Sequence, residues 1–147
     1  MSYRHRARSA AVQCLSGITL RGVTDAGQQE EFLRFVKAEF LPTTKEVDLY
    51  ETLITDVLLH RAELDEALSK NAPQWVVEKM AVIDRVLLEM GIYELLKTNT
   101  PHAIVMNEYI ELAKEFGDDG TPAFINGVLS TIAKTLPEPE EKGKQKA

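Results

Sequence analysis

Between positions 76 and 96, Met80, Val82, Ile83, Val86, Leu87, Leu88, Met90, Ile92, Leu95 and Leu96 run almost all the way round a helical projection. A helix that is apolar on most of its sides has to be surrounded by other elements, so this segment predicts a central helix with neighbours packed about it. The neighbours follow from the same periodicity. Ala7, Ala11, Cys14, Leu15 and Ile18 form one buried stripe of a first helix, with Gly22 and Gly27 bracketing its end. A second helix spans 30–41, stopped by Pro42, and a third 44–60, with Val47, Tyr50, Leu53, Ile54, Val57 and Leu58 on its apolar side. A short fourth covers 62–70, before Asn71-Ala72-Pro73.

Thr100-Pro101 and Thr121-Pro122 each place a capping hydroxyl before a proline at the first helical position. Gly117 between them predicts a left-handed helix stop. In the last helix, which ends before Pro137, Gly127 lies among Phe124, Ile125, Val128, Leu129, Ile132 and Leu136, and is expected to mark a close helix–helix contact. No useful length of strand-like alternation interrupts this pattern. The expectation is an all-α chain: one domain over 1–137 and a disordered charged tail over 138–147.

A length of 147 residues with 44% hydrophobic and 27% charged side chains suits one globular domain with a substantial core. The lone Cys14 excludes an internal disulfide and fits a reducing compartment. Membrane-length apolar runs and the apolar core of a signal peptide are both missing, so the chain is expected in the cytoplasm. His5, His60 and His102 are scattered without metal-ligand spacing, and Asp118-Asp119-Gly120 lacks the ligand spacing of a calcium loop. With no Gly-rich phosphate loop and no nucleophile elbow, nothing points to an enzyme, a metal or a cofactor.

Charge is unevenly placed. Residues 1–22 hold Arg4, Arg6, Arg8 and Arg21 and no acid, so that segment is +4 while the other 125 residues sum to −10 of the overall −6. A local basic patch on an acidic body can take phosphate while the remaining surface repels non-specific RNA. Guanidinium groups suit phosphate because they are permanently charged and donate in a planar fork. Arg4 and Arg8 share a helix flank, whereas Arg6 points roughly 160–200° away at 100° per residue. All three reach one RNA only if the first residues form an extended arm or the RNA wraps the helix.

Other positions admit two readings. Asp84 lies on a stripe with Leu87, Leu88, Gly91, Ile92 and Leu95, so its carboxylate is either paired in the core or turned to a partner. Phe124, in the first turn of the last helix, is either a core aromatic or a ring on which an unpaired base stacks. Arg85 and Glu89 are spaced for a surface ion pair.

Several segments together resemble the NusB family of transcription antitermination factors: Arg4-His5-Arg6-Ala7-Arg8, Ala11-Val12-Gln13, the run from Ile83 to Leu96, Asn107-Glu108-Tyr109-Ile110-Glu111-Leu112-Ala113-Lys114-Glu115-Phe116-Gly117 and Phe124-Ile125-Asn126-Gly127-Val128-Leu129. The likeness covers about residues 4–136. It implies a bundle of about seven helices in two subdomains. It also implies recognition of a single-stranded boxA-type element in ribosomal RNA leader transcripts, jointly with a small-subunit ribosomal protein (NusE), within an RNA polymerase antitermination complex. By position it assigns Arg4, Arg6, Arg8 and Phe124 to RNA, and Asp84 and Ser16 to the partner. At Ser16, family members often carry tyrosine. Before Thr121 they often carry an acid where this chain has Gly120.

A second hypothesis is a self-associating helical module, a homodimer among its forms, whose RNA surface is weakened or occluded. A third, a subunit of a ribosomal RNA methyltransferase carrying such a domain, lacks any cofactor-binding segment here.

Overall fold

The structure, a computed structural model, describes residues 2–139. Among these, all regular structure is helical: α1 (Tyr3–Arg21), α2 (Ala26–Phe40), α3 (Thr44–Leu59), α4 (Arg61–Asn71), α5 (Val82–Lys97), α6 (His102–Phe116) and α7 (Thr121–Ala133), with a single 3-10 turn at Val77–Lys79. Residues up to Leu59 form one compact unit and those from His60 on form another. Most of the expected tail lies outside the described residues. Its first residue, Glu138, is placed, with its carboxylate 3.3 Å from the His102 imidazole.

In the first unit, α1 packs against both α2 and α3. Ser2 starts α1 by accepting from the His5 amide, and Gly22 ends it in the left-handed conformation at φ 63°, with the Val23 amide closing back on Ile18. The expected stripe of Ala7, Ala11, Cys14, Leu15 and Ile18 is buried. Tyr50, Leu53, Ile54 and Val57 of α3, the helix packed on α1, are buried too, and the Tyr50 hydroxyl donates to the Leu33 carbonyl at 2.8 Å. Val47 and Leu58 of the expected apolar side are only half-buried.

In the second unit, α5 packs against α4, α6 and α7, as a helix apolar on most sides must. From Val86 to Leu95 every residue is buried. The expected helix start at 76 is a correction: α5 begins at Val82, and Met80 and Ala81 are extended, with ψ of 152° and 138°. The apolar pattern ran on through this segment, yet Val76 is 54% exposed, so hydrophobicity there does not record a helix face.

The glycines also correct the sequence reading. Gly127 is exposed, and a Cβ there would meet nothing within 4 Å. The close helix approach is instead at Gly91, where a Cβ would lie 2.8 Å from Leu129 Cδ1, so α7 rides against α5 at a site where a methyl group would have to displace Leu129. Gly117 is extended (φ −97°, ψ −168°) rather than left-handed. A Cβ there would come within 2.4 Å of the Thr121 side chain, so the glycine answers crowding, not turn geometry. Pro101 occupies the cap position of α6 instead of its first turn, and Gly120 the cap of α7, with Thr121 one residue further in.

Candidate functional site

The candidate residues fall into two sets, one in each unit. In the first unit, α1 is helical from Tyr3 onward, which excludes an extended arginine arm. Arg4 is exposed, its guanidinium 4.9 Å from the centre of the Tyr3 ring. Lys45, at the start of α3, brings its ammonium 5.8 Å from the same ring. Arg6 forks onto the Glu46 carboxylate through Nε and Nη2, with its own side chain 40% exposed and that of Glu46 fully buried. Thr43 accepts from the Glu46 amide at 3.3 Å, so this carboxylate sits in the first turn of α3, where the helix dipole favours negative charge. Its second oxygen, Oε2, has no hydrogen-bond partner. Arg8 is 4% exposed. The three arginines therefore do not form one surface: Arg4 faces outward, Arg6 straddles the edge and Arg8 lies inside. Ser16, further along α1, is half-buried with its hydroxyl enclosed and unpartnered.

In the second unit, a pocket of about 420 Å³ opens between the segment before α5 and the turn before α7. Trp75 and Phe124 form its aromatic wall, edge to face with ring centres 5.2 Å apart. Asp84, Asp118 and Lys79 also line the pocket. Thr121 ties the acids together. Its Oγ1 accepts from the Asp118 amide at 3.0 Å and lies 3.1 Å from Asp118 Oδ1 and 3.5 Å from Asp84 Oδ1. Partial burial and the neighbouring Asp118 push the Asp84 carboxyl above its ordinary value, with the Thr121 hydroxyl pulling it partly back. Two acceptor-rich carboxylates beside an aromatic wall suit N–H donors carried by a flat or cationic group, such as a guanidinium or a base edge.

The structure thus brings Asp84 and Phe124 into one pocket and leaves Arg4, Arg6, Arg8 and Ser16 in the other unit. Asp84 is held by the Thr121 hydroxyl inside the unit and also lines the pocket. The expected Arg85–Glu89 surface pair is corrected. Glu89 is fully buried and bound at both oxygens by Arg61 at 2.8–3.0 Å, while Arg85 spans Glu89 and Asp65 at 3.2 and 3.0 Å. Tyr3, Lys45 and Trp75 were missed. A lone tryptophan just after Asn71-Ala72-Pro73 was the available signal for the last; nothing local pairs Tyr3 with Lys45.

The NusB family model matches residues 5–134, most of the chain. The chain belongs to the NusB family. Among the relatives, the transcription antitermination protein NusB of Anaeromyxobacter dehalogenans (strain 2CP-1 / ATCC BAA-258) is 40% identical over 98% of this chain and 99% of its own length. That of a Nitratiruptor species is 36% identical over the whole of both. A solved structure described as antitermination factors NusB and NusE in complex with dsRNA matches with a TM-score of 0.79 at 26% identity, covering 92% of this chain and 99% of the other. Family membership accounts for the seven helices. T. maritima NusB, at 24% identity and a TM-score of 0.79, shares the fold.

Proposed function

We propose that this protein is an RNA-binding transcription antitermination factor that works with a small-subunit ribosomal protein (NusE) and recognises a boxA-type element of ribosomal RNA leader transcripts. The observation that carries the reading is the full-length kinship to antitermination proteins, one relative of known structure being held with NusE and RNA. The outward cationic start of α1 on a chain of net charge −6 supports it, since sequence-independent phosphate attraction is then confined to one face. In this reading Arg4 faces the RNA, Arg6 holds the start of α1 against α3 through Glu46, and Arg8 holds α1 from within. Phe124 stacks on a base, and Asp84 and Ser16 belong to the protein partner's surface. The protein acts by binding in the cytoplasm and catalyses no reaction. Among the described residues no helix is long and apolar enough to cross a membrane, and no group of three His, Cys, Asp or Glu could hold a metal ion.

The test is fluorescence anisotropy with labelled boxA-type RNA against a scrambled strand, single- and double-stranded, with and without the ribosomal protein, over a salt series. Preference for boxA that strengthens with the partner is expected. Equal weak binding to every strand sinks the proposal.

A second reading, self-association, is favoured by an apolar groove of about 380 Å³ between α2 and α3, lined by Leu33, Ile54, Leu58 and a 73% exposed Leu59. Sedimentation that stays monomeric across micromolar concentrations removes it.

A further inference from the structure

We infer that Tyr3, Arg4 and Lys45 form a single-stranded RNA platform, the tyrosine ring taking an unpaired base and the two cations taking the phosphates on either side. This rests on the RNA-binding reading above and adds Tyr3 and Lys45, which that reading does not name. Three observations lead to it. The ring has two cations within reach of its face, Arg4 at 4.9 Å from α1 and Lys45 at 5.8 Å from α3, so the cluster is assembled by the fold and not by neighbours in sequence alone. Both cations are exposed and the ring is half-exposed. And the next arginine along is engaged elsewhere: Arg6 neutralises Glu46, a fully buried carboxylate with one oxygen already unpartnered. Withdrawing Arg6 to a phosphate would leave that charge buried and uncompensated, so Arg6 fixes the start of α1 against α3 and thereby sets the spacing of Tyr3 and Lys45.

The chemistry is that of single-strand recognition, in which stacking on an aromatic face is tolerant of base identity and phosphate contacts supply the salt-dependent part. A cation resting on the ring in the free protein gives up that face to the base and moves a few ångströms to the phosphate, keeping an electrostatic partner throughout. A duplex, whose bases are stacked on one another, has no base to offer.

The experiment is anisotropy of a fluorescein-labelled single-stranded boxA-type RNA and its duplex form with the full-length protein, over a salt series. Tyr3→Ala is expected to weaken single-strand binding by roughly 5- to 100-fold, the equivalent of one stacked base, while leaving the salt slope unchanged. Tyr3→Phe keeps the ring and should bind like the parent. Lys45→Ala should reduce the steepness of the salt slope by about 0.7, one phosphate on a single strand. Arg6→Ala paired with Glu46→Gln, which removes the buried charge along with its partner, should restore the parental melting temperature and keep the parental slope; a slope lower by about 0.7 would make Arg6 a direct phosphate contact and overturn its positioning role. Parental affinity in both Tyr3→Ala and Lys45→Ala, from a protein that does bind RNA, overturns the platform and leaves the functional reading standing. A parent protein that binds neither strand overturns both.

Discussion

Arg6 and Arg8 lie two residues apart in α1 and meet different surroundings, and the difference is set by helical phase. Arg8 is three residues before Ala11, four before Val12 and seven before Leu15, all buried, so it falls on the inward stripe. That signal was legible in the sequence but was outweighed by counting charges. The Arg6–Glu46 pair was not legible, because its members are 40 positions apart and only the α1–α3 packing joins them. Removing Arg6 alone by Arg6→Ala should destabilise the protein by about 3 kcal/mol, since a buried carboxylate loses its counter-charge. Thermal melting would show it, and an unchanged melting temperature would mean that the carboxylate finds water. Cys14, expected in the core, is there, and burial pushes its thiol up to about 11 despite a hydrogen bond with Tyr50. A thiol so rarely ionised at neutral pH should react with a disulfide reagent orders of magnitude more slowly in the native protein than in urea, as absorbance at the released thiolate would record.

Helices were the part of the fold most open to sequence reasoning, because a stripe of buried side chains repeats every turn. Their contacts were less open. Gly127 and Gly91 both interrupt apolar helical runs, and nothing in either run says which one faces a neighbour. The two make opposite predictions for the same substitution. Gly91→Ala should cost about 1–3 kcal/mol, because the new methyl group must displace Leu129 from a packed interface. Gly127→Ala, on an open helix surface, should stabilise by up to about 1 kcal/mol through backbone entropy alone. Denaturant melts of the two variants settle the matter: equal shifts would mean that α7 does not sit on α5 at Leu129. The start of α5 was misjudged for a related reason. Val76 and Met80 extend the apolar pattern, but Val76 is a surface residue and Met80 lines the pocket.

At the scale of the whole molecule, uneven charge was visible at once, whereas buried charge was not. Spacing alone makes Glu89 half of a surface pair, whereas in the fold it is the centre of a cluster tying α5 to α4 through Arg61, Arg85 and Asp65. Burial and the adjacent Asp65 carboxyl outweigh Arg61 and push the Glu89 carboxyl up to about 7. The native state therefore binds a proton more tightly than the unfolded chain does. The stability that Glu89 contributes in this way is fullest below the ordinary glutamate range, near 4.5, and is lost progressively as pH rises towards 7. Asp84, also raised, contributes in the same direction. Calorimetry from pH 4.5 to 7.5 should show the melting temperature falling, and Glu89→Gln should flatten that slope; a slope untouched by the substitution would place its origin elsewhere. Legible in the sequence were the helical class, the central helix and the basic start. Hidden were the groups that tertiary packing alone assembles: the Tyr3–Lys45 cluster, the Asp84–Thr121–Asp118 arrangement and the Glu89 network.

The chain has one tryptophan, and the fold sets it edge-on to Phe124 in the wall of the pocket, 47% exposed. Its indole emission therefore depends on the polarity at the opening where Asp84 and Phe124 meet. Any occupant that shields Trp75 from water shifts that emission to the blue, and any that brings in a quenching group dims it. The unlabelled protein is its own optical gauge for that pocket, and an RNA or a protein partner can be titrated against it without attaching a dye.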